Sequence, residues 1–163
     1  GLTDAAQGSV SPTSLVFTAG NGFIGSLDRI LLQGLTLESL SGTIPEAVFI
    51  MFQLTFAAIT AAIVLGSVAD RIKFSAALIF MGLWMLAVYL PVAHWVWGPS
   101  GFLGGVGETD FQGPFGFGPI LDFAGGMVVH VNAGVAGLVA AVVLGKRHNP
   151  EAHSPHNLLL SVV

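Results

Sequence analysis

Three ionisable residues, His94, Asp122 and His130, lie within or beside stretches of the chain that contain almost no other charge. Ionisable groups at membrane depth are expensive, and by default they mark substrate, ion or proton pathways. An imidazole exchanges a proton near neutral pH, and a carboxylate attracts a cation. If these stretches cross a membrane, the three residues are candidates for handling a cation or a proton.

Asp122 comes just before an apolar run, where a helix is predicted to begin. Its carboxylate suits the first free N–H groups of that helix, and this capping role is compatible with a direct role toward a cation. Asp122, Gly126, His130 and Gly134 are spaced by four, which predicts a shared helix face. Small residues beside that face let helices approach closely. They are Ala133, Gly137 and Ala141.

Aromatic residues recur along the first apolar run, and another aromatic residue is the last residue of the second apolar run. Phe49, Phe52, Phe56 and Thr60 are spaced by three or four residues, so they are predicted to share one face. Such a stripe is usually packing, but it also suits an aromatic gate or a cation–π platform. Trp97 has the same two interpretations, as an interface anchor or as part of a cation–π wall.

Histidines also raise two alternatives that involve metal. His148, His153 and His156 have irregular spacing in an exposed loop, which argues against a metal site. His94 and His130 on two helices are the pattern of a bis-histidine haem protein, but nothing else in the chain indicates haem. We predict no metal and no cofactor.

The composition predicts that these residues are held by membrane helices. Only 9% of the residues are charged and 53% are hydrophobic, whereas soluble domains carry about 25% charged residues. Three uncharged runs, 47–69, 74–97 and 123–145, are each long enough to cross a hydrocarbon core, so we predict membrane segments at 44–69, 74–97 and 122–145. Pro45 suits the start of the first run, and Pro91 is predicted to kink the second near its end.

The remaining segments are predicted to connect these helices. Residues 1–43 are an extracytoplasmic loop and the end of a preceding helix, with a short amphipathic helix from Ser26 to Leu37. Residues 98–121 are a loop rich in Gly, Pro and Phe. A polar loop, 146–157, precedes the start of a fourth helix at 158–163. The fold class is therefore an all-α polytopic transmembrane bundle, with three spanning helices and the start of a fourth.

Basic residues follow the first and third runs, whereas the loop between the second and third is acidic. The positive-inside rule therefore places the loops 70–73 and 146–157 in the cytoplasm. The chain lacks an initiator Met and stops inside an apolar run, so we expect a segment of a longer polypeptide. It has no cysteine for a disulfide, and its net charge of −4 includes no basic run, which argues against nucleic-acid binding.

The stretch DFAGGMVVHVNAGVAGLVAAVVLGKR, from Asp122 to Arg147, resembles the signature helix of the ammonium transporter (Amt/Mep/Rh) family. The stretch FQLTFAAIT, from Phe52, resembles the third membrane helix of that family. The stretches FSAALIF, from Phe74, and AHWVWG, from Ala93, resemble the two ends of the fourth. The resemblance covers residues 44–163 well and the first 43 more loosely.

This resemblance implies eleven membrane helices in two inverted halves, a homotrimer with one pore per subunit, and transport of ammonium or ammonia rather than enzymatic catalysis. Trp97, Phe52, Phe56 and Asp122 match the vestibule that recruits ammonium. Phe56 also matches a gate phenylalanine, and His130 matches the first of two pore histidines. The second histidine and the second gate residue belong to later helices.

The resemblance also implies an integral protein of the plasma membrane, with a PII-type regulatory protein as a cytoplasmic partner. A sensor of the same fold, in which ammonium binding is coupled to a signalling domain, is the alternative within the family. Whether ammonia or ammonium crosses is not fixed by this resemblance.

Overall fold

The computed structural model describes residues 23–25, 27, 29–98, 101–104, 116 and 118–146. Within them, three helices are long and apolar enough to cross a membrane: α1 (Glu46–Gly66), α2 (Phe74–Trp97) and α3 (Gly126–Leu144). The predicted class, an all-α transmembrane bundle, is confirmed. The three loop histidines, most of the loops 98–121 and 146–157, and the predicted helix start at 158–163 lie outside the described residues.

α1 begins directly after a proline. Pro45 occupies the N-cap with φ −55° and ψ 133°, and Glu46 places a carboxylate in the first turn. The first N–H groups of a helix have no intrahelical partner, so a proline there sacrifices no hydrogen bond. The carboxylate also favours the positive end of the helix dipole. The prediction that Pro45 lies at the start of the first helix is confirmed.

The segment before α1 is a small hairpin rather than part of a helix. Strand β1 (Leu40–Ser41) pairs antiparallel with β2 (Ile44–Pro45) across a turn in which Gly42 has φ 61°. The predicted helix from Ser26 to Leu37 is wrong over its described residues, where the helical structure is a 3₁₀ turn, Ile30–Leu32. Leu31 and Leu32 adopt positive φ, which a right-handed helix excludes. The apolar face expected on this helix is also not buried, since Leu31 is 95% exposed.

α2 changes its hydrogen-bond pattern in the middle. It is α-helical over Phe74–Trp84 and Leu90–Trp97, with a π-helical turn, Met85–Tyr89, between them. The Leu90 N–H bonds the Met85 carbonyl, five residues back. Pro91 has no N–H and its ring crowds the preceding turn, so the α pattern cannot run through it unchanged. The distortion predicted near Pro91 takes the form of this π turn.

α3 is shorter than its apolar run, because it begins at Gly126 rather than near residue 122. Its first six residues, Gly126–Val131, are π-helical, and Asn132–Leu144 are α-helical. It ends at Gly145, whose φ of 76° suits a residue without a side chain. The later start follows from a turn built around Asp122, described below.

The three helices pack around one apolar cluster, with α1 and α3 in especially close contact. The buried members of this cluster are Val64, Met81, Trp84, Tyr89, Ala93, Val96, Leu103, Val128 and Ala133. Gly137 is buried on α3, and a Cβ added there would lie 2.9 Å from Ser67 Oγ. The small-residue stripe predicted on α3 therefore permits close approach to α1, as expected of membrane helices.

A second link between these helices lies at the Arg71 end of the bundle, which is formed by the end of α1, the start of α2 and the end of α3. Arg71 donates from Nη2 to the Ser67 carbonyl at 2.6 Å and from Nη1 to the Gly145 carbonyl at 2.9 Å. Carbonyls at helix C-termini lack intrahelical donors and carry partial negative charge. One guanidinium thus caps the ends of α1 and α3 together.

We expect Gly137→Ala to destabilise the bundle by about 1 to 3 kcal/mol, because the new methyl group must either displace the Ser67 hydroxyl from its bond to Val64 or push α1 and α3 apart. Resistance of the protein to thermal unfolding in detergent measures the effect. Gly82→Ala is the matched control, since a Cβ at Gly82 meets no atom within 4 Å. Adding Ser67→Gly to Gly137→Ala should restore stability. Equal stability of Gly137→Ala and Gly82→Ala would contradict the close contact.

Candidate functional site

Three aromatic rings from two helices form a cluster. Phe52 and Phe56, one turn apart on α1, lie edge to face with ring centroids 5.0 Å apart and an interplanar angle of 77°. The Phe56 ring meets Trp97, the last residue of α2, at 5.5 Å and 73°. Edge-to-face pairs favour each other electrostatically, and at least part of this cluster is open, since Phe52 is 53% exposed. The three aromatic residues predicted for the vestibule are therefore neighbours.

Asp122 lies next to this cluster and caps α3. Its Oδ1 accepts the Gly126 N–H at 2.7 Å, and its Oδ2 accepts the Met127 and Val128 N–H groups at 2.9 and 2.8 Å. The predicted capping role is confirmed. Asp122 was expected directly before the helix, but that position is taken by Gly125. The Asp122 carboxylate reaches the first turn from three residues further back.

The aromatic cluster and the cap are joined by one hydrogen bond. The Trp97 indole Nε1–H donates to the backbone carbonyl of Asp122 at 2.7 Å. A partly buried indole N–H needs an acceptor, and this one fixes the plane of the ring beside the start of α3. We name the end of the bundle where α1 begins, α2 ends and α3 begins the Asp122 end.

Gly125 forms the corner between the cap and α3. Its φ of 79° lies in the left-handed region, which turns the chain so that the Asp122 carboxylate faces the helix start. A Cβ on Gly125 would lie 2.6 Å from Val129 Cγ2 and 3.4 Å from Phe56 Cδ1. A side chain at residue 125 is therefore disfavoured by the positive φ and by Val129, whereas its distance to Phe56 is that of an ordinary van der Waals contact.

His130 lies in the π turn that follows this corner. The Val129 and His130 N–H groups both bond the Gly125 carbonyl, at 3.0 and 2.9 Å, and His130 Nδ1 lies 3.0 Å from the same oxygen. Isolated π turns occur frequently at functional sites, where they change the direction of a side chain. Gly126, His130 and Gly134 are all exposed, so their predicted common face remains open among the described residues, although Asp122 lies outside the helix.

Below the aromatic cluster, a buried polar contact links α1 with α2. The Thr60 hydroxyl donates to the Phe56 carbonyl at 2.6 Å, and the Tyr89 side chain is hydrogen-bonded to Thr60. Tyr89 comes from the π turn of α2. Thr60 and Tyr89 are 0% and 3% exposed, so the Thr60 hydroxyl, which donates to Phe56, accepts from the Tyr89 hydroxyl where water is excluded.

His94 is separate from the candidate site. It is 2% exposed, and its Nδ1 lies so close to Gly98 that an added Cβ there would approach it to 2.8 Å. An imidazole packed in this way is a core residue, whereas His130 is exposed. This arrangement provides no support for the haem alternative, which requires both imidazoles to reach one iron.

An apolar cleft of about 450 Å³ lies at the opposite end of the bundle, between α2 and α3. Its lining includes Val68, Phe80, Trp84 and Ala136. These side chains offer no acceptor or charge that would hold a cation. Among the described residues, the five candidate site residues therefore lie toward the Asp122 end and not in this cleft.

The sequence indicated five candidate residues but not the groups that join them. These groups are the Gly125 carbonyl, the bond from the Trp97 indole to the Asp122 backbone, and the Thr60–Tyr89 pair. The paired glycines after Asp122 were the one indication of an unusual backbone conformation there. Every residue has a backbone carbonyl, so a sequence does not show which of them accepts a side-chain hydrogen bond.

Three apolar spanning helices, with buried hydroxyl groups and a histidine within them, define a polytopic α-helical integral membrane protein.

Residues 13–163 match the model of the Ammonium Transporter Family. The chain is 49% identical over 148 residues to the ammonium transporter of Bacillus subtilis (strain 168), covering 90% of this chain and 33% of the relative. It is 51% identical over 124 residues to that of Mycobacterium tuberculosis (strain H37Rv), covering 73% and 24%. It is 39% identical over 145 residues to ammonium transporter Amt1 of Archaeoglobus fulgidus, covering 88% and 32%.

The chain belongs to the ammonium transporter family, as its resemblance predicted. It spans between 24% and 33% of the length of these three relatives. The activity of the whole protein is therefore a matter for proposal.

Proposed function

We propose that this chain is part of a transporter that carries ammonium or ammonia across the plasma membrane, and that the Asp122 end is its recruitment site. The observation that carries the proposal is the hydrogen bond from Trp97, in an aromatic cluster that is open at Phe52, to the backbone carbonyl of Asp122, whose carboxylate caps α3. Aromatic faces attract a cation through their quadrupole. A nearby anion adds a longer-range attraction.

The proposed roles follow from the groups that each residue presents. Phe52, Phe56 and Trp97 replace part of the hydration shell of the cation. Asp122 acts mainly through its charge, because three backbone N–H groups already take three of the about four acceptor positions of its carboxylate. Phe56 also serves as a gate, because it is the innermost ring of the cluster on α1. His130, beyond the cap on α3, supports conduction.

Selectivity follows from the chemistry of ammonium. An apolar passage disfavours the charged form and promotes loss of a proton, so that ammonia and the proton can cross separately. Potassium has a similar size but no proton to release. We further propose that the intact protein is a homotrimer, regulated by a PII-type protein, with the Arg71 end and the loops 70–73 and 146–157 in the cytoplasm.

The experiment is a current measurement on the intact protein in proteoliposomes. An ammonium jump should evoke a current, whereas potassium and sodium jumps should not. Ammonium binding without current would favour a sensor or electroneutral ammonia conduction, which a pH-sensitive dye inside the vesicles separates. Absence of both binding and flux would overturn the proposal.

We expect Trp97→Leu to raise the half-saturating ammonium concentration by about 2- to 30-fold, the equivalent of about 0.5 to 2 kcal/mol for one cation–π contact. Trp97→Phe keeps an aromatic face but loses the indole N–H, so it should lie between wild type and Trp97→Leu. Trp95→Leu is the matched control, because the Trp95 ring packs on Phe102, outside the cluster. Equal values for Trp97→Leu and Trp95→Leu would remove Trp97 from the recruitment site.

A further inference from the structure

The hydroxyl groups of Tyr89 and Thr60 form a hydrogen-bonded chain that ends on the backbone carbonyl of Phe56. The Thr60 hydroxyl donates to that carbonyl at 2.6 Å, and the Tyr89 side chain is hydrogen-bonded to Thr60. A threonine hydroxyl has one proton to donate, and the Phe56 carbonyl already receives it, so Tyr89 must be the donor in the second bond. The chain therefore runs in one direction, from Tyr89 through Thr60 to Phe56.

This chain connects the two helices that carry the aromatic cluster. On α1 the accepting carbonyl belongs to Phe56 itself, whose ring centroid lies 5.5 Å from that of Trp97. On α2 Tyr89 belongs to the π turn that leads directly into the segment Leu90–Trp97. A shift of one helix along the other would therefore change the hydrogen-bonded chain and the contact between the two rings together.

We propose that Thr60 and Tyr89 are positioning residues, which hold the Phe56 ring in its place between Trp97 and the corner before α3. This inference rests on the proposed function and deepens it, because it names the contact that holds the proposed gate. The corner also lies close to the ring, since a Cβ built on Gly125 would be 3.4 Å from Phe56 Cδ1. A small displacement of the ring thus changes its distance to both neighbours.

Apolar packing alone does not fix the alignment of α1 and α2 in this way. Alkyl and aromatic surfaces of membrane helices provide little specificity for one another, whereas a hydrogen bond requires a defined distance and angle. Thr60 and Tyr89 are buried, so a broken bond would leave a hydroxyl without water to replace its partner. A threonine that bonds the carbonyl one turn back also favours a bend in its helix, here at Phe56.

The first test compares the maximal ammonium current with the half-saturating ammonium concentration, for the intact protein in proteoliposomes. Thr60→Val keeps the side-chain shape but removes the hydroxyl. We expect it to lower the maximal current per folded protein by about 10- to 100-fold, as when a functional group is displaced by about 1 Å. The half-saturating concentration should change far less, because the bond between Trp97 and Asp122 remains. Tyr89→Phe should also lower the maximal current, whereas Thr60→Ser should retain it.

A double variant separates positioning from stability. Thr60→Val combined with Tyr89→Phe removes both hydroxyls, so no buried hydroxyl is left without a partner and resistance to thermal unfolding in detergent should recover. The maximal current should remain low, because no hydrogen bond then fixes the alignment of the helices. Recovery of the current together with stability would overturn the proposal, since the pair would then support only the fold.

A second measurement reports on the gate ring without transport. Fluorine NMR is recorded on the intact protein with 4-fluorophenylalanine at residue 56, and we expect Thr60→Val to shift or broaden the signal. Thr55→Val is the matched control and should leave the signal unchanged, because the exposed Thr55 hydroxyl donates to the Phe52 carbonyl at 2.6 Å. An unchanged signal in a folded Thr60→Val protein would overturn the proposal.

The fluorine signal and the current separate this proposal from the proposed function. A signal that responds to Thr60→Val in a protein without ammonium flux would support the positioning role and overturn ammonium transport. Wild-type flux and an unchanged signal in Thr60→Val would overturn the positioning role and support ammonium transport.

Discussion

Asp122→Ala is expected to abolish the ammonium current. The substitution removes the only side chain that accepts the Gly126, Met127 and Val128 N–H groups among the described residues, and it removes the negative charge beside the aromatic cluster. Loss of an N-terminal cap alone costs up to about 2 kcal/mol, a factor of about 30 in an equilibrium constant. Loss of the charge further lowers the local concentration of the cation.

The charge and the cap can be separated at this position. Asp122→Asn keeps one acceptor oxygen and the approximate shape of the cap, so it should fold nearly as well as wild type but lose most of the current. Currents from the intact protein are compared after normalising to folded protein in the vesicles. If Asp122→Asn restored the full current, the carboxylate would be only a cap. A full current in folded Asp122→Ala would exclude both roles.

Arg29→Ala is expected to produce the largest loss of stability, about 3 to 5 kcal/mol, because it removes the guanidinium that is paired with a buried carboxylate. Arg29 Nη2 lies 2.5 Å from Glu46 Oε1, and the two side chains are 16% and 2% exposed. The pair ties the segment before the hairpin to the first turn of α1. Thermal unfolding of the intact protein in detergent measures the loss.

The matched variants show whether burial is the cause. Glu38→Ala removes an exposed carboxylate from the same segment and should change stability by less than about 0.5 kcal/mol. Replacing both partners, as Arg29→Met with Glu46→Leu, should recover most of the lost stability because no charge then remains buried. Equal effects of Arg29→Ala and Glu38→Ala would show that the pair is solvated in the intact protein.

These two predictions concern the same end of the bundle. The Asp122 cap determines where α3 begins, and the Arg29–Glu46 pair anchors the segment that leads into α1. Arg71, at the opposite end, caps α1 and α3 with a single guanidinium. The proposed site thus depends on contacts that hold the helix ends, because the apolar surfaces of membrane helices provide little specificity for one another.

The positions of the membrane helices were predictable because hydropathy is a property of each stretch by itself. A run such as Phe74–Trp97 is long and uncharged wherever it occurs, and the lipid requires it to satisfy its own backbone hydrogen bonds as a helix. Residue type also indicated Asp122 and His130, since ionisable groups are few in such runs, whereas the resemblance to a family selected Phe52, Phe56 and Trp97. Their neighbourhood followed from the resemblance to a family, not from spacing.

Tertiary structure alone decided how the helices begin, deform and meet. α3 begins at Gly126 because the Asp122 carboxylate accepts three backbone N–H groups across Gly125, which has a positive φ. Hydropathy gives no information about such a turn. The hydrogen bond between Thr60 and Tyr89 and the ion pair of Arg29 with Glu46 join residues 29 and 17 positions apart. The sequence by itself therefore determined which stretches are long and apolar enough to cross a membrane and which side chains are candidates to act on a cation. The fold decided which nitrogen of His130 is bound, because that depends on the position of a backbone oxygen, which every residue type possesses.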